Sequence, residues 1–281
     1  MLKGMTKMET KYIFLDVDGT LVNFMGEIPE SAVYALKKAQ ANGHKIMLAT
    51  GRQKSQIHKF LFEKIDFDGM VASSGAYIEY GGKVIFESRP SREKLSEMID
   101  FFDKYKIPYF LQSTDRLIAL RWCYDQIYAH FESEGAGKVT LDSVFGNTEI
   151  VEDPKALECV EKAAYYYSPL SIEEVRAELG DYYYVVSYSL GSGQSLYHGE
   201  ITFDGVNKAV GIEKFMTAVG APMKNSIAVG DSGNDLEMIK AAGVGVCMGN
   251  GSDDVKAAAD LVTTDVNDDG IYNAFVKLGL I

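Results

Sequence analysis

The chain has 281 residues, 47% of them hydrophobic and 24% charged, which suits one large globular domain or two smaller ones. A formal net charge of −12 argues against a nucleic-acid backbone or an anionic membrane surface as the main partner. It leaves room for a small phosphorylated ligand in a locally positive pocket.

Other absences narrow the class further. No run of about 18 apolar residues occurs, so no membrane span is expected. The opening M-L-K-G-M-T-K-M-E-T-K lacks the apolar core of a signal peptide, and Met5 and Met8 leave the start methionine open. Cys123, Cys159 and Cys247 are far apart and show no C-x-x-C spacing, which fits a reducing cytoplasm better than a disulfide framework. The scattered histidines, His44, His58, His130 and His198, are read as structural or surface residues.

Tyr12 to Leu15 is a short apolar run, read as a buried strand, and it ends in Asp16-Val17-Asp18-Gly19-Thr20. Asp-Val-Asp-Gly could be an ordinary turn. Two carboxylates on a strand's C-terminal edge, however, repel one another unless something positive sits beside them. A helix enters at Pro29-Glu30-Ser31, repeats Ala32, Leu36 and Ala39 on one face, and closes at Gly43. Lys45 to Ala49 is a second strand, so strand, helix and strand form a βαβ unit with a shared C-terminal edge. Thr50-Gly51-Arg52 follows on that edge. A hydroxyl, backbone N–H groups and a coming helix start make an anion site there, unless Thr50 is merely a helix cap.

Phe67 to Val71 leads into Ala72-Ser73-Ser74-Gly75-Ala76 on the same edge, and Tyr77–Tyr80 with Lys83–Phe86 read as a hairpin. The pattern then shifts. Helices are expected at 92–105, 124–134, 154–163 and 171–179, and strand-like segments at 109–112, 116–121 and 182–189, which describes a separate α+β domain. Its tyrosine runs, 165–167 and 182–184, are assigned mainly to packing. Gly191-Ser192-Gly193-Gln194 reads as a hinge or a substrate-facing turn.

The earlier style then returns. Lys208 opens a helix, against the helix dipole, which suggests a local anion. Ser226 to Gly230 is a strand ending in Asp231-Ser232-Gly233-Asn234-Asp235, with a helix from Leu236 behind it. Val244 to Met248 is another strand, ending in Gly249-Asn250-Gly251, and a last strand at 261–264 precedes a closing helix. Asp16, Asp18, Thr50, Asp231 and Asp235 should therefore meet at one edge, with Lys208 nearby. Hard oxygen ligands of this kind suit Mg²⁺ together with a substrate phosphate. A carboxylate nucleophile gives an aspartyl-phosphate: Asp16 is the better nucleophile, and Asp18 can protonate the leaving oxygen and then activate water.

Four motifs in this order, D-V-D-G-T at 16–20, T-G-R at 50–52, N-K at 207–208 and G-D-S-G-N-D at 230–235, resemble the haloacid-dehalogenase (HAD) superfamily. More narrowly, the chain resembles its Cof-like phosphatases, which carry a large cap inserted mid-chain. The resemblance implies an α/β fold: a Rossmann-like parallel-sheet core at 1–86 and 197–281, and an inserted α+β cap at 87–196 that closes over small substrates. It implies Asp16 as nucleophile and Mg²⁺ ligand, and Asp18 as acid/base with its backbone carbonyl on the metal. Asp231 would ligate the metal directly, and Asp235 would support it through water or hydrogen bonds. Thr50, Gly51, Lys208 and Asn234 would hold the phosphate. Ser74-Gly75-Ala76 departs from the usual Asn-Gly-Ala, and Asn250-Gly251 from the usual Asn-Ala.

The expected activity is Mg²⁺-dependent hydrolysis of a small phosphorylated metabolite, a sugar phosphate first among them, in the cytoplasm. Transfer to a second sugar hydroxyl, as in a phosphotransferase or mutase, is the alternative on the same core. A non-catalytic phosphometabolite-binding protein is the third reading.

Overall fold

The computed structural model describes residues 9–135, 137–190 and 193–281. Met5, Met8, Gly191 and Ser192 lie outside the described residues, and with them part of the expected 191–194 turn. In chain order, the first elements are β1 (Tyr12–Leu15), α1 (Glu30–Ala41), β2 (Lys45–Ala49), α2 (Lys59–Lys64), β3 (Gly69–Ala72), β4 (Tyr77–Tyr80) and β5 (Lys83–Glu87). Then come α3 (Arg92–Tyr105), β6 (Tyr109–Gln112), β7 (Leu117–Ala119), α4 (Arg121–Ser133), α5 (Lys138–Phe145) and β8 (Glu149–Ile150). After them stand β9 (Lys162–Tyr165), α6 (Ile172–Leu179), β10 (Tyr183–Leu190) and β11 (Gly193–Phe203). The chain closes with α7 (Lys208–Ala218), β12 (Ser226–Gly230), α8 (Leu236–Ala241), β13 (Val244–Cys247), α9 (Asp253–Ala258), β14 (Leu261–Val262) and α10 (Gly270–Lys277).

Two compact units result. One holds the described residues up to Gly51, Ile57–Phe86 and Lys208–Ile281; the other holds Arg52–Gln56 and the described residues from Glu87 to Asn207. The return to the first unit comes at Lys208, later than residue 197, because β11 stays in the second unit's sheet as far as Phe203.

The first unit is built on an eight-stranded sheet of order β14-β13-β12-β1-β2-β3-β4-β5. It is parallel from β14 to β3, and β4 turns back antiparallel on β3. Successive side chains of a strand point to opposite faces, and both faces are covered. Ile13 and Leu15 join α1 and α10 in one core, while Phe14 joins Ile212, Phe215 and Met216 of α7 in another. The ring of Phe14 meets Phe215 edge-on at 5.2 Å. Ile13, Phe14 and Leu15 are all 0% exposed, each burial contributing about 1.5–3 kcal/mol, while Tyr12 stays half-buried at the strand's start. A run apolar on both faces is what a central parallel strand requires.

The second unit carries a six-stranded sheet of order β10-β11-β9-β6-β7-β8, antiparallel except for the β7–β8 pair. The expected helix at 154–163 is a correction. Only a 3-10 turn at Pro154–Ala156 forms, started by the Asp153 carboxylate accepting the Lys155 N–H, and Lys162–Tyr165 is strand β9. It fills the slot between β6 and β11, so pairing on both sides overrides local helical preference. Tyr165 is fully buried, with its ring centroid 5.9 Å from that of Phe102. No helix among the described residues is long and apolar enough to cross a membrane.

Candidate active site

Strand order decides which side chains meet. β1 lies between β12 and β2, with Leu15 level with Val229 on one side and Leu48 on the other. The ladder runs one residue further, as the Asp16 N–H donates to Val229 O at 3.0 Å and the Thr50 N–H to Val71 O at 2.9 Å. Asp16, Thr50 and Asp231 thus end neighbouring strands where the chain order reverses direction across the sheet, which is where open α/β sheets bind ligands.

Into this edge α7 delivers Lys208, its first residue, 2% exposed. Its Nζ donates to Asp16 Oδ1 and to Asp235 Oδ1, both at 2.6 Å, and reaches Asn234 Oδ1 at 3.5 Å. Burying an ammonium is tolerable only with such partners. Asp235, 0% exposed, spends its second oxygen on the N–H groups of Asp231 and Ser232, at 3.0 and 3.1 Å. Asp231 Oδ1 accepts from Thr20 Oγ1 at 2.8 Å. Among the described residues no hydrogen bond reaches Asp16 Oδ2 or Asp231 Oδ2. No hydrogen bond leaves Asn234 Nδ2 either, since both contacts of that side chain use Oδ1.

The loops leave no slack. A Cβ on Gly19, whose φ is +81°, would stand 2.5 Å from Asp231 Oδ2, and one on Gly230 would stand 2.6 Å from Asp235 Cβ. On α7, one turn after Lys208, a Cβ on Gly211 would meet Val71 Cγ1 at 2.6 Å and Gly75 Cα at 2.9 Å. That close approach fits an unusual backbone beneath it. Ser73, Ser74 and Gly75 all have positive φ (51°, 54° and 101°), and the Ser74 N–H donates to Thr50 O at 3.1 Å.

The electrostatics follow from crowding. Burial, with Asp235 and Asp231 nearby, raises the Asp16 pKa well above the usual carboxylate range against the pull of Lys208. Burial and Asp235 push Asp231 up to about 7, opposed by the Thr20 hydrogen bond and by Lys208. Burial acts against the Lys208 charge, but Asp16 and Asp235 outweigh it and raise its pKa. Three carboxylates face one ammonium, and an oxygen from each of Asp16, Asp231 and Asp235 lies within 4.8 Å of the others. Hard donors, excess negative charge and two uncommitted oxygens fit a divalent cation.

Of the residues singled out from the sequence, Asp16, Asp231, Asp235, Lys208 and Asn234 come together here. Asp18 is exposed on the turn and stands outside the three-carboxylate cluster. Thr50, 1% exposed, and Gly51 follow directly on β2, and the helix start expected after them comes as a 3-10 turn at Lys54–Gln56, ahead of α2 at Lys59. Three contributors went unread. Ser232 and Asp235 cap one another reciprocally, and Ser-x-x-Asp was a legible signal for it. Thr20 was quoted only as part of a motif. Asn250 donates its Nδ2 to Gly19 O at 2.7 Å, and its place after β13 on the same edge could have marked it.

Comparisons with known proteins converge. The haloacid dehalogenase-like hydrolase model matches residues 13–275. The putative phosphatase YkrA of Bacillus subtilis is 27% identical over 274 residues, covering 98% of this chain and all of the relative. Pyridoxal phosphate phosphatase YbhA of Escherichia coli is 28% identical, covering 94% of this chain and 97% of the relative. Among solved structures, the HAD subclass IIB sugar phosphatase BT4131 superposes with a TM-score of 0.77 at 28% identity, over 97% of this chain and 100% of that one.

Proposed function

Because this chain belongs to the haloacid dehalogenase-like hydrolases and is a Cof-like hydrolase of phosphoric monoesters, we propose that it dephosphorylates a small metabolite, a sugar phosphate first, through Asp16. The sugar preference rests on the likeness to BT4131; YbhA, equally similar in sequence, is named for a different small phosphate ester.

One observation carries the mechanism: Lys208 fastens Asp16 by Oδ1 and leaves Oδ2 without a hydrogen bond among the described residues, at the end of a strand buried from Ile13 to Leu15. Oδ2 attacks phosphorus in line with the ester oxygen, forming one P–O bond as the other breaks. Asp18, exposed on the adjoining turn, gives its proton to the departing oxygen. As a carboxylate it then takes a proton from the water that cleaves the aspartyl-phosphate, which frees Asp16 and inorganic phosphate. Lys208, the Asn234 amide, Thr50 and Gly51 hold the phosphoryl oxygens.

Asp231 would hold Mg²⁺ through its uncommitted Oδ2 and Asp16 through Oδ1, the oxygen it does not use in the attack, with the Asp18 carbonyl beside them, and Asp235 would keep Asp231 and Lys208 in place. Bound there, the ion supplies positive charge for the carboxylates and the phosphoryl oxygens. The test is Asp16→Asn assayed with Mg²⁺ on 4-nitrophenyl phosphate: turnover should vanish, and unchanged turnover would end this reading.

A further inference from the structure

We propose that Asn250 is a positioning residue that aims Asp18 by locking the peptide after Gly19, an inference resting on the role given to Asp18 above. The turn that carries Asp18 is closed by its own backbone: Gly19 N–H donates to Val22 O at 2.8 Å, and Val22 N–H to Val17 O at 2.8 Å. Its one residue without a Cβ is Gly19, at φ +81°, so the torsions there are the softest in the turn. Nothing within the turn holds the Gly19 carbonyl. Asn250 does so from another loop, its Nδ2 donating to Gly19 O at 2.7 Å while its Oδ1 accepts the Val266 N–H at 2.9 Å. The two bonds admit only one orientation of the amide, because a carbonyl can only accept and an N–H can only donate.

The mount is itself rigid. Gly249 N–H donates to Thr264 O at 2.9 Å and Gly251 N–H to Met248 O at 2.9 Å. A Cβ on Gly249 would stand 2.5 Å from Asp265 N, and one on Gly251 2.5 Å from Cys247 Sγ. Rotation of the Gly19–Thr20 peptide would disturb two neighbours at once: Asp18 on one side, and on the other Thr20, whose hydroxyl must reach Asp231. Asn250 prevents that rotation.

Asn250→Asp separates the two bonds, since a carboxylate still accepts from Val266 but cannot donate to Gly19. Asn250→Asp, Asn250→Ala and Asp18→Asn are assayed at saturating Mg²⁺, which offsets any weakening of metal binding through Thr20 and Asp231, on a series of aryl phosphates from 4-nitrophenyl to phenyl to 4-methoxyphenyl. The quantity read is kcat/KM, which includes departure of the leaving group. A misaimed acid hurts poor leaving groups most. Both Asn250 variants should stay within about twofold of wild type on 4-nitrophenyl phosphate and fall about tenfold or more on the poorer esters, as part of an acid contribution worth about 10²–10⁴. Asp18→Asn should show the same slope, steeper. If Asp18→Asn shows it and the Asn250 variants lose activity uniformly or not at all, the inference is overturned and the role of Asp18 stands. If Asp18→Asn shows no such slope, the role of Asp18 fails and takes the inference with it. Asn250 variants that melt below the assay temperature also overturn it, because Asn250 is then holding the fold rather than aiming an acid.

Discussion

Lys208 Nζ and Asp16 Oδ1 lie 2.6 Å apart across 192 residues of sequence, joining a helix start to a strand end inside the protein. Truncation at this lysine leaves Asp16 and Asp235 facing each other without a cation. Lys208→Met should lower kcat about 100- to 1000-fold. It should destabilise the metal-free protein by about 3–5 kcal/mol, as loss of one partner from a buried ion pair does. Steady-state kinetics and thermal unfolding in chelator check the two parts separately.

Thr20 bears on the neighbouring carboxylate. Its hydroxyl donates to Asp231 Oδ1 at 2.8 Å and opposes the upward push on that carboxyl. Thr20→Val removes the donor while keeping the shape. The Mg²⁺ concentration giving half-maximal activity at pH 7 should then rise about tenfold, since a lost hydrogen bond to a charge costs roughly 1.5–3 kcal/mol. An unchanged metal requirement would show that the hydroxyl does not tune Asp231.

The dependence of stability on pH has a definite sign. Burial and the Asp235 carboxylate push Asp231 up to about 7 in the folded, metal-free protein, against an ordinary 3.8, and burial raises Asp16 too. A carboxyl raised on folding stabilises fully below its unfolded pKa, and that stabilisation is lost as pH climbs through the folded one. In chelator, the melting temperature should therefore fall between about pH 4 and pH 8, with on the order of 4 kcal/mol at stake at Asp231. Added Mg²⁺ should raise it most at the alkaline end. A flat profile in chelator would contradict the crowded carboxylates.

Gly211 sets how closely α7 sits on β3. Gly211→Val gains a side chain where Val71 and Gly75 already stand within contact. Overpacking of this kind costs about 1–3 kcal/mol. Because Lys208 sits one turn earlier on the same helix, kcat should drop more than KM changes. Adding Val71→Ala should restore part of it, and equal activity in all three proteins would separate α7 packing from Lys208 placement.

Much of this site was legible in the chain itself. Apolar runs such as Tyr12–Leu15 and Ser226–Gly230 announce buried strands, and the acids following them announce the strand ends, because both signals are local: side-chain burial period and turn chemistry. Lys208 stood out because a cation at a helix start runs against the dipole. What no local signal contains is adjacency. That β12 pairs with β1 rather than with another edge follows from covering both sheet faces, and only this pairing brings Asp231 beside Asp16. The same long-range pairing made Lys162–Tyr165 a strand. It also separated the acids: Asp235, wholly bound to Lys208 and two backbone N–H groups, is buried, while Asp18 faces outward from its turn. Residue types and their order came from the chain; which oxygens remain available came from folding, since hydrogen bonds are allotted only when distant segments meet.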